Sequence, residues 1–209
     1  MTFTNLQKTE IYTTESFNFL SIPKNGYMYV KSYITKYCSN LKVLPFLDNN
    51  KPYWAVIRDP YQRFISGLTY DILILNHDKE LKLLDKFLNE DYLEKLFLKN
   101  YDSFFSITGN VPHTLCQWTY LYNQPVDFFV RIEDLTSFIH LHFGNDSFSK
   151  HPGNNLLQNK VKEYIDKNNN LKQLINYYLT PDLYLYKQLY NQGKVWEHNY
   201  GQMFYLAKP

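Results

Sequence analysis

The stretch at residues 17–32, FNFLSIPKNGYMYVKS, contains the pattern of a strand, a tight loop and a helix. Residues 17–22 are mostly apolar and β-prone, which favours a short, buried parallel strand. Pro23 cannot continue the hydrogen bonding of that strand, and Gly26 permits backbone angles that a side chain forbids. Apolar residues then recur at helical spacing, at Tyr29, Val30, Tyr33 and Ile34.

A loop between a strand and a helix is a potential anion site. The first turn of the helix directs backbone N–H groups and the positive end of the helix dipole at one spot. Lys24 adds a full positive charge to that loop. The alternative interpretation is an ordinary surface turn with a solvated lysine.

A second stretch, residues 54–70, WAVIRDPYQRFISGLTY, repeats the pattern with different side chains. Residues 54–57 are typical of a buried strand, and Arg58 follows at its carboxyl end. Asp59 is suited to cap a helix, and Pro60 is suited to the first helical position. The sequence therefore predicts a helix that begins at Pro60.

Arg63 and Ser66 are i, i+3 neighbours on this predicted helix and share a face with Pro60 and Tyr70. A guanidinium fork and a hydroxyl beside a strand end are suited to bind a phosphate monoester. Two anion sites at adjacent strand ends imply one ligand that carries two separated phosphates.

At these residues the chain resembles the sulfotransferases that use 3′-phosphoadenosine 5′-phosphosulfate (PAPS), particularly the carbohydrate branch that includes the heparan and chondroitin types. The family's P-K-x-G loop binds the 5′-phosphosulfate, and its R-D-P-x-x-R-x-x-S motif binds the 3′-phosphate. The first motif is matched here by Pro23, Lys24 and Gly26. The second is matched by Arg58, Asp59, Pro60, Arg63 and Ser66.

The loop departs from the family pattern directly after the glycine. The family places Thr or Ser there to bind the 5′-phosphate, whereas this chain has Tyr27 and Met28. Backbone amides and Lys24 would then provide more of that contact. The resemblance implies a cofactor loop that consists of Pro23, Lys24, Asn25, Gly26, Tyr27 and Met28.

The resemblance implies an α/β fold in a single domain over residues 1–209, with a P-loop-NTPase-like parallel sheet flanked by helices. It implies an enzyme that transfers a sulfuryl group from PAPS to an acceptor hydroxyl, on a carbohydrate, without a metal. A nucleotide kinase or NTPase is the nearest enzymatic rival, but the G-x-x-x-x-G-K-[ST] spacing is missing because Lys24 precedes Gly26. The alternative from another class is a catalytically idle module that keeps the nucleotide pocket.

The composition of the chain bears on its binding partners and on its cellular compartment. The net charge of +2 does not indicate a nucleic-acid-binding protein, which normally has a basic excess. Cys38 and Cys116 show no paired spacing, so neither a disulfide framework nor a zinc site is indicated. No run approaches the length of a membrane span. We therefore expect a soluble, cytoplasmic protein from a microbial or viral setting, or a catalytic fragment.

The catalytic base has two candidates. Residues 41–47, LKVLPFL, predict a strand at which Pro45 favours an edge position or an early end. If this strand lies beside the first loop, Asp48 faces the sulfonate, although a solvated turn is the alternative. His113 begins a predicted helix over residues 113–122 and shares a face with Gln117, in a region that resembles the acceptor side of the family. A surface or capping histidine is the alternative there.

The remaining predicted elements carry few candidate functional residues. Residues 77–99 predict an amphipathic helix, with a possible break at residues 89–91, and residues 101–112 predict a loop. Residues 126–131 predict a strand, after which Glu133 has a structural role at the start of the next helix. The loop at residues 148–155 carries Lys150 and His151, and it resembles the loop that closes over the nucleotide. Residues 177–190 resemble the family's final helix through Tyr178, Asp182 and Tyr186.

Overall fold

The computed structural model describes residues 10–44, 50–72, 82, 84–105, 113–121, 124–144 and 155–196. The chain divides into two compact units. The sheet unit consists of Lys8–Arg58, Tyr120–His151 and Leu185–Pro209. The helical unit consists of Met1–Gln7, Asp59–Thr119 and Pro152–Tyr184. The single domain over residues 1–209 stays a prediction.

Strands and helices follow one another along the chain from residue 11 to residue 196. The elements are β1 (Ile11–Thr13), β2 (Asn18–Leu20), α1 (Tyr27–Tyr37), β3 (Lys42–Leu44), β4 (Tyr53–Ile57), α2 (Pro60–Tyr70), α3 (Leu84–Phe87), α4 (Glu90–Phe105), α5 (Gln117–Leu121), β5 (Phe128–Arg131), α6 (Leu135–Phe143), α7 (Asn155–Lys167), α8 (Asn169–Tyr178), α9 (Thr180–Asn191) and β6 (Val195–Trp196).

The described strands form one mixed sheet in the order β3-β1-β2-β4-β5-β6. Strands β2, β4, β5 and β6 are parallel, whereas β1 is antiparallel to both β2 and β3. A tight turn joins β1 to β2, in which the Thr14 N–H donates to the Phe17 carbonyl at 2.9 Å. Strands joined by so short a turn must run antiparallel. The α/β class is thus confirmed, but the sheet is mixed rather than wholly parallel.

Strand β3 lies at the edge of the described sheet, next to β1. Its residues Lys42 and Val43 are exposed, and the predicted edge position is confirmed. The expectation that this strand lies beside the first loop is wrong, because β1 is inserted between β3 and β2. Residues 45–49, and with them Asp48, lie outside the described residues.

The core of the sheet unit lies where α1 and α6 pack on the sheet. The residues on this face alternate along the strands, as the two-residue period of a strand requires. Trp54 is at the centre, with ring centroids 4.6 Å from Phe19 and 4.9 Å from Phe138. Val30 and Tyr33 of α1 complete this cluster. Strand β4 is buried along its whole length, as its apolar sequence predicts.

His142 of α6 gives the sheet unit a testable pH dependence. Its ring packs 4.5 Å from Phe138, and burial lowers the pKa of His142 below its ordinary value. The folded state therefore favours the neutral ring, and unfolding takes up a proton below about pH 6.5. We expect the free energy of unfolding to fall as the pH drops through that range, by at most about 1.4 kcal/mol per pH unit for one proton.

Urea denaturation at several pH values will measure this dependence. His142→Phe keeps an aromatic ring against Phe138 and is expected to flatten the fall in stability below about pH 6.5. His140→Phe, on the same helix, is the matched control. An unchanged pH profile in His142→Phe would assign the acid sensitivity to other groups.

The helical unit has its own core, built from α2, α3, α4, α7 and α8. The predicted break at residues 89–91 is confirmed, because α3 ends at Phe87 and α4 begins at Glu90. The Asn89 side chain accepts a hydrogen bond from the Tyr92 N–H at 2.9 Å, which caps α4. The predicted loop at residues 101–112 is wrong over residues 101–105, since α4 continues to Phe105.

Candidate functional site

The loop between β2 and α1 has an unusual backbone. Lys24 has a φ of 67° and Gly26 has a φ of 76°. A non-glycine residue in this left-handed region costs about 1–3 kcal/mol, and such residues cluster at binding sites. The conformation of Lys24 is therefore evidence that this loop is held in place by its surroundings.

Gly26 is required at its position for two reasons. Its φ is unfavourable for any residue with a Cβ, and a Cβ there would lie 2.9 Å from Cδ2 of Leu135. Gly26 is also the N-cap of α1, and its carbonyl accepts from the N–H groups of Tyr29 and Val30. The sequence prediction of a tight loop that leads directly into a helix is confirmed.

Side chains from the sheet unit fix the loop. Asn25 is 1% exposed, and its Nδ2 donates to the carbonyl of Val56 in the adjacent strand β4 at 2.7 Å. Arg58 follows β4, and its Nη1 donates to the Lys24 carbonyl at 3.3 Å. Because β2 and β4 are parallel neighbours, their carboxyl ends meet at the same edge of the sheet. Asn25 and Arg58 thereby tie the loop to the end of the neighbouring strand.

The electrostatics of this loop favour an anion. Lys24 and Arg58 are both half-buried, and the first turn of α1 contains no acidic residue. The positive end of the helix dipole is at Gly26, the N-cap of α1. Half-burial lowers the local dielectric and strengthens the attraction of these cations for a negative ligand.

Tyr27 and Met28 lie in the first turn of α1, where the resembled family has Thr or Ser. Tyr27 is half-buried, and Met28 is 43% exposed. Their side chains offer a phenol and a thioether in place of an aliphatic hydroxyl, so any anion at this turn depends on backbone N–H groups and on Lys24.

The second motif is divided between the units. Arg58 belongs to the sheet unit, whereas Asp59, Arg63 and Ser66 belong to the helical unit. The Asp59 carboxylate accepts a hydrogen bond from the Gln62 N–H at 2.8 Å, and Pro60 is at the start of α2. The predicted cap and helix start are therefore confirmed.

Arg63 has a structural environment that the motif does not indicate. It is 1% exposed, and its Nη1 donates to the carbonyl of Leu115. Burial raises the pKa of Asp182, and the charge of Arg63 acts against that rise. Ser66 is 9% exposed on the same helix. Binding of a 3′-phosphate by Arg63 and Ser66 stays a prediction.

Asp182 is the most deeply buried carboxylate among the described residues, at 1% exposed. Its oxygens accept from the backbone N–H groups of Gln117 at 2.8 Å and Trp118 at 2.6 Å. Burial raises the pKa of Asp182, while the charge of Arg63 and the two N–H donors act in the opposite direction. Asp182 thus joins the start of α5 to the start of α9.

His113 precedes α5 instead of lying on it. It is in a turn, and α5 begins at Gln117, so the predicted helical face shared by His113 and Gln117 is wrong. Nδ1 of His113 lies 2.7 Å from Oδ1 of Asp71, which directly follows α2. Sequence analysis missed Asp71, because 42 residues separate the partners and no local motif connects them.

The other predicted elements are distributed as follows. The strand predicted over residues 126–131 is confirmed over Phe128–Arg131, which is β5, and Asp134 precedes α6 and binds Arg131. The pattern at Tyr178, Asp182 and Tyr186 spans α8 and α9 instead of a single helix. Lys150 and His151 lie outside the described residues.

Within the described part of the chain, no group of three or more His, Cys, Asp or Glu residues is arranged to hold a metal ion. None of its helices combines the length and the apolar character that a bilayer crossing requires.

Comparison with known proteins identifies no relative of this chain. No protein-family model, no curated protein and no solved structure matches this chain.

Proposed function

We propose that this protein is a sulfotransferase that moves a sulfuryl group from PAPS to an acceptor hydroxyl, with a glycan as the acceptor class. The observation that carries the proposal is the loop from Pro23 to Gly26. Lys24 has a left-handed backbone there, Gly26 is the N-cap of α1, and Arg58 donates to the Lys24 carbonyl. A loop of this kind suits a phosphosulfate, which presents several anionic oxygens.

Lys24 and Arg58 have different roles in the proposed reaction. The acceptor oxygen attacks sulfur, the bond from sulfur to the 5′-phosphate oxygen breaks, and the electron pair leaves with that phosphate. Lys24 and the N–H groups of the first turn of α1 stabilise the negative charge that grows on the 5′-phosphate. Arg58 binds the 3′-phosphate, for which its guanidinium fork is suited. The acceptor proton passes to a base.

The support for a sulfotransferase-type fold is the arrangement of β2, the loop, α1 and β4. Strands β2 and β4 are parallel neighbours with their carboxyl ends at one edge, which is where ligands bind in open α/β sheets. The antiparallel strand β1 adds to this parallel core without altering the strand-loop-helix unit.

A specific observation favours the second candidate, a module that binds the nucleotide without catalysis. Tyr27 and Met28 provide no aliphatic hydroxyl in the first turn of α1. Binding and transfer must therefore be measured separately.

We expect 3′-phosphoadenosine 5′-phosphate to raise the thermal stability of the protein, and ATP at equal concentration to raise it much less. Only the first ligand carries a 3′-phosphate for Arg58. At about 100 times its dissociation constant, a ligand adds about 2.7 kcal/mol to the free energy of unfolding. Differential scanning fluorimetry with both nucleotides will measure the shifts. Equal shifts would indicate a general phosphate site and contradict the proposal.

The second experiment measures the transfer of radiolabelled sulfate from PAPS to a panel of glycans, tyrosine peptides and small alcohols. Specific nucleotide binding with transfer to a glycan supports the proposed enzyme. Specific binding without transfer to any acceptor would favour the idle module, and neither binding nor transfer would overturn both candidates.

A further inference from the structure

The backbone of His113 lies unusually close to the last turn of α2. A Cβ on Gly67 would lie 2.3 Å from the carbonyl oxygen of His113 and 2.6 Å from its carbonyl carbon. No side chain fits in that space, so glycine permits the backbone of His113 to lie directly on the helix. This close approach fixes where the imidazole is attached.

Two side chains of the same region then fix the ring itself. Tyr70 packs edge-on against the imidazole, with centroids 4.3 Å apart and an interplanar angle of 65°. Asp71 places its Oδ1 at 2.7 Å from Nδ1 of His113. Gly67, Tyr70 and Asp71 thus restrict the position, the rotation and the hydrogen bonding of one histidine.

The hydrogen bond determines the tautomer of the neutral ring. An ionised carboxylate accepts hydrogen bonds and has no proton to donate, so Nδ1 of His113 must carry the proton. The lone pair of the neutral imidazole is then on Nε2. The Asp71 side chain is 8% exposed, whereas that of His113 is 31% exposed. The carboxylate is shielded from water while part of the ring remains accessible.

We infer that Asp71 is a positioning residue that fixes His113 as the tautomer with Nε2 available to accept a proton. This pairing is a property of the helical unit alone. Asp71 acts through His113: with Nδ1 held by the carboxylate, Nε2 is the ring nitrogen that can accept a proton.

The tautomer can be measured without any assay of activity. In protein labelled with ¹⁵N-histidine and held in alkaline buffer, the two ring nitrogens of a neutral imidazole give distinct ¹⁵N shifts. His113→Gln identifies the signals of His113 among the six histidines. We expect a protonated Nδ1 and an unprotonated Nε2. A protonated Nε2 in the parent protein would overturn the inference.

Variants then test the cause. Asp71→Ala removes the acceptor, and we expect the ring signals of His113 to move toward a mixture of both tautomers. Asp91→Ala removes an exposed carboxylate from α4 and is the matched control, with the His113 signals expected to stay unchanged. Unchanged signals in Asp71→Ala would refute the role of Asp71. If Asp71→Ala fails to fold, the tautomer in the parent protein still decides the first question.

Discussion

Asp182→Ala is expected to lower the free energy of unfolding by about 1–3 kcal/mol for each of the two N–H groups that lose a buried acceptor. These are the N–H groups of Gln117 and Trp118, and Asp182 itself is only 1% exposed. Urea denaturation followed by circular dichroism will measure the loss.

Two comparisons make this result specific. Asp166→Ala removes a carboxylate that is 29% exposed and pairs with Lys162 and Lys172, and we expect a loss of about 1 kcal/mol or less. Burial raises the pKa of Asp182 and the charge of Arg63 opposes that rise, so the two side chains are expected to be coupled and the double variant Arg63→Met, Asp182→Ala to lose less than the sum of the two single losses. Additive losses would show that Arg63 and Asp182 do not interact in the folded protein.

Lys24→Ala is expected to lower kcat for sulfuryl transfer by about 10²–10³-fold, the usual cost of removing one group that stabilises developing charge. Its affinity for PAPS should change much less, because the charge on the 5′-phosphate is greatest as the bond to sulfur breaks. Alanine at a φ of 67° carries a similar backbone strain, so the loss reports on the ammonium group. Steady-state kinetics and equilibrium binding will separate the two effects.

Arg58→Ala is the informative comparison, since it is expected to weaken the binding of 3′-phosphoadenosine 5′-phosphate more than it lowers kcat. Lys42→Ala removes the same single charge from an exposed position on β3 and should leave both quantities near normal. If Lys24→Ala and Arg58→Ala have the same kinetic profile, the roles proposed for these residues are wrong.

The sequence determined the local units of this protein. Pro23 and Gly26 mark the loop between β2 and α1, because a missing N–H and a missing Cβ act on the backbone at their own positions. Asp59 caps α2, and Asn89 separates α3 from α4, through hydrogen bonds to residues three positions away. Such signals need no information from the rest of the chain, and this is why they could be predicted.

Part of the candidate site was predictable for the same reason. Lys24 and Gly26 were identified from the loop pattern, and Arg58 from its place after a strand. The left-handed backbone of Lys24 and the bonds from Asn25 and Arg58 that hold the loop were not, because they depend on β4 lying next to β2. The pairing of those strands is long-range and has no local period.

Only the tertiary structure decided where β1 is inserted, how Arg63 is buried and which residue meets His113. The strand order depends on β1 pairing with both β2 and β3, which the alternation within any one strand does not specify. Arg63 matches a phosphate-binding motif in sequence, yet it is buried and donates to the carbonyl of Leu115, 52 residues later. Asp71 reaches His113 because Gly67 lets two distant backbones touch. These contacts join residues that are far apart in sequence, so they form only when long loops close. They depend on how the elements pack, and a local pattern of residues carries no information about that packing.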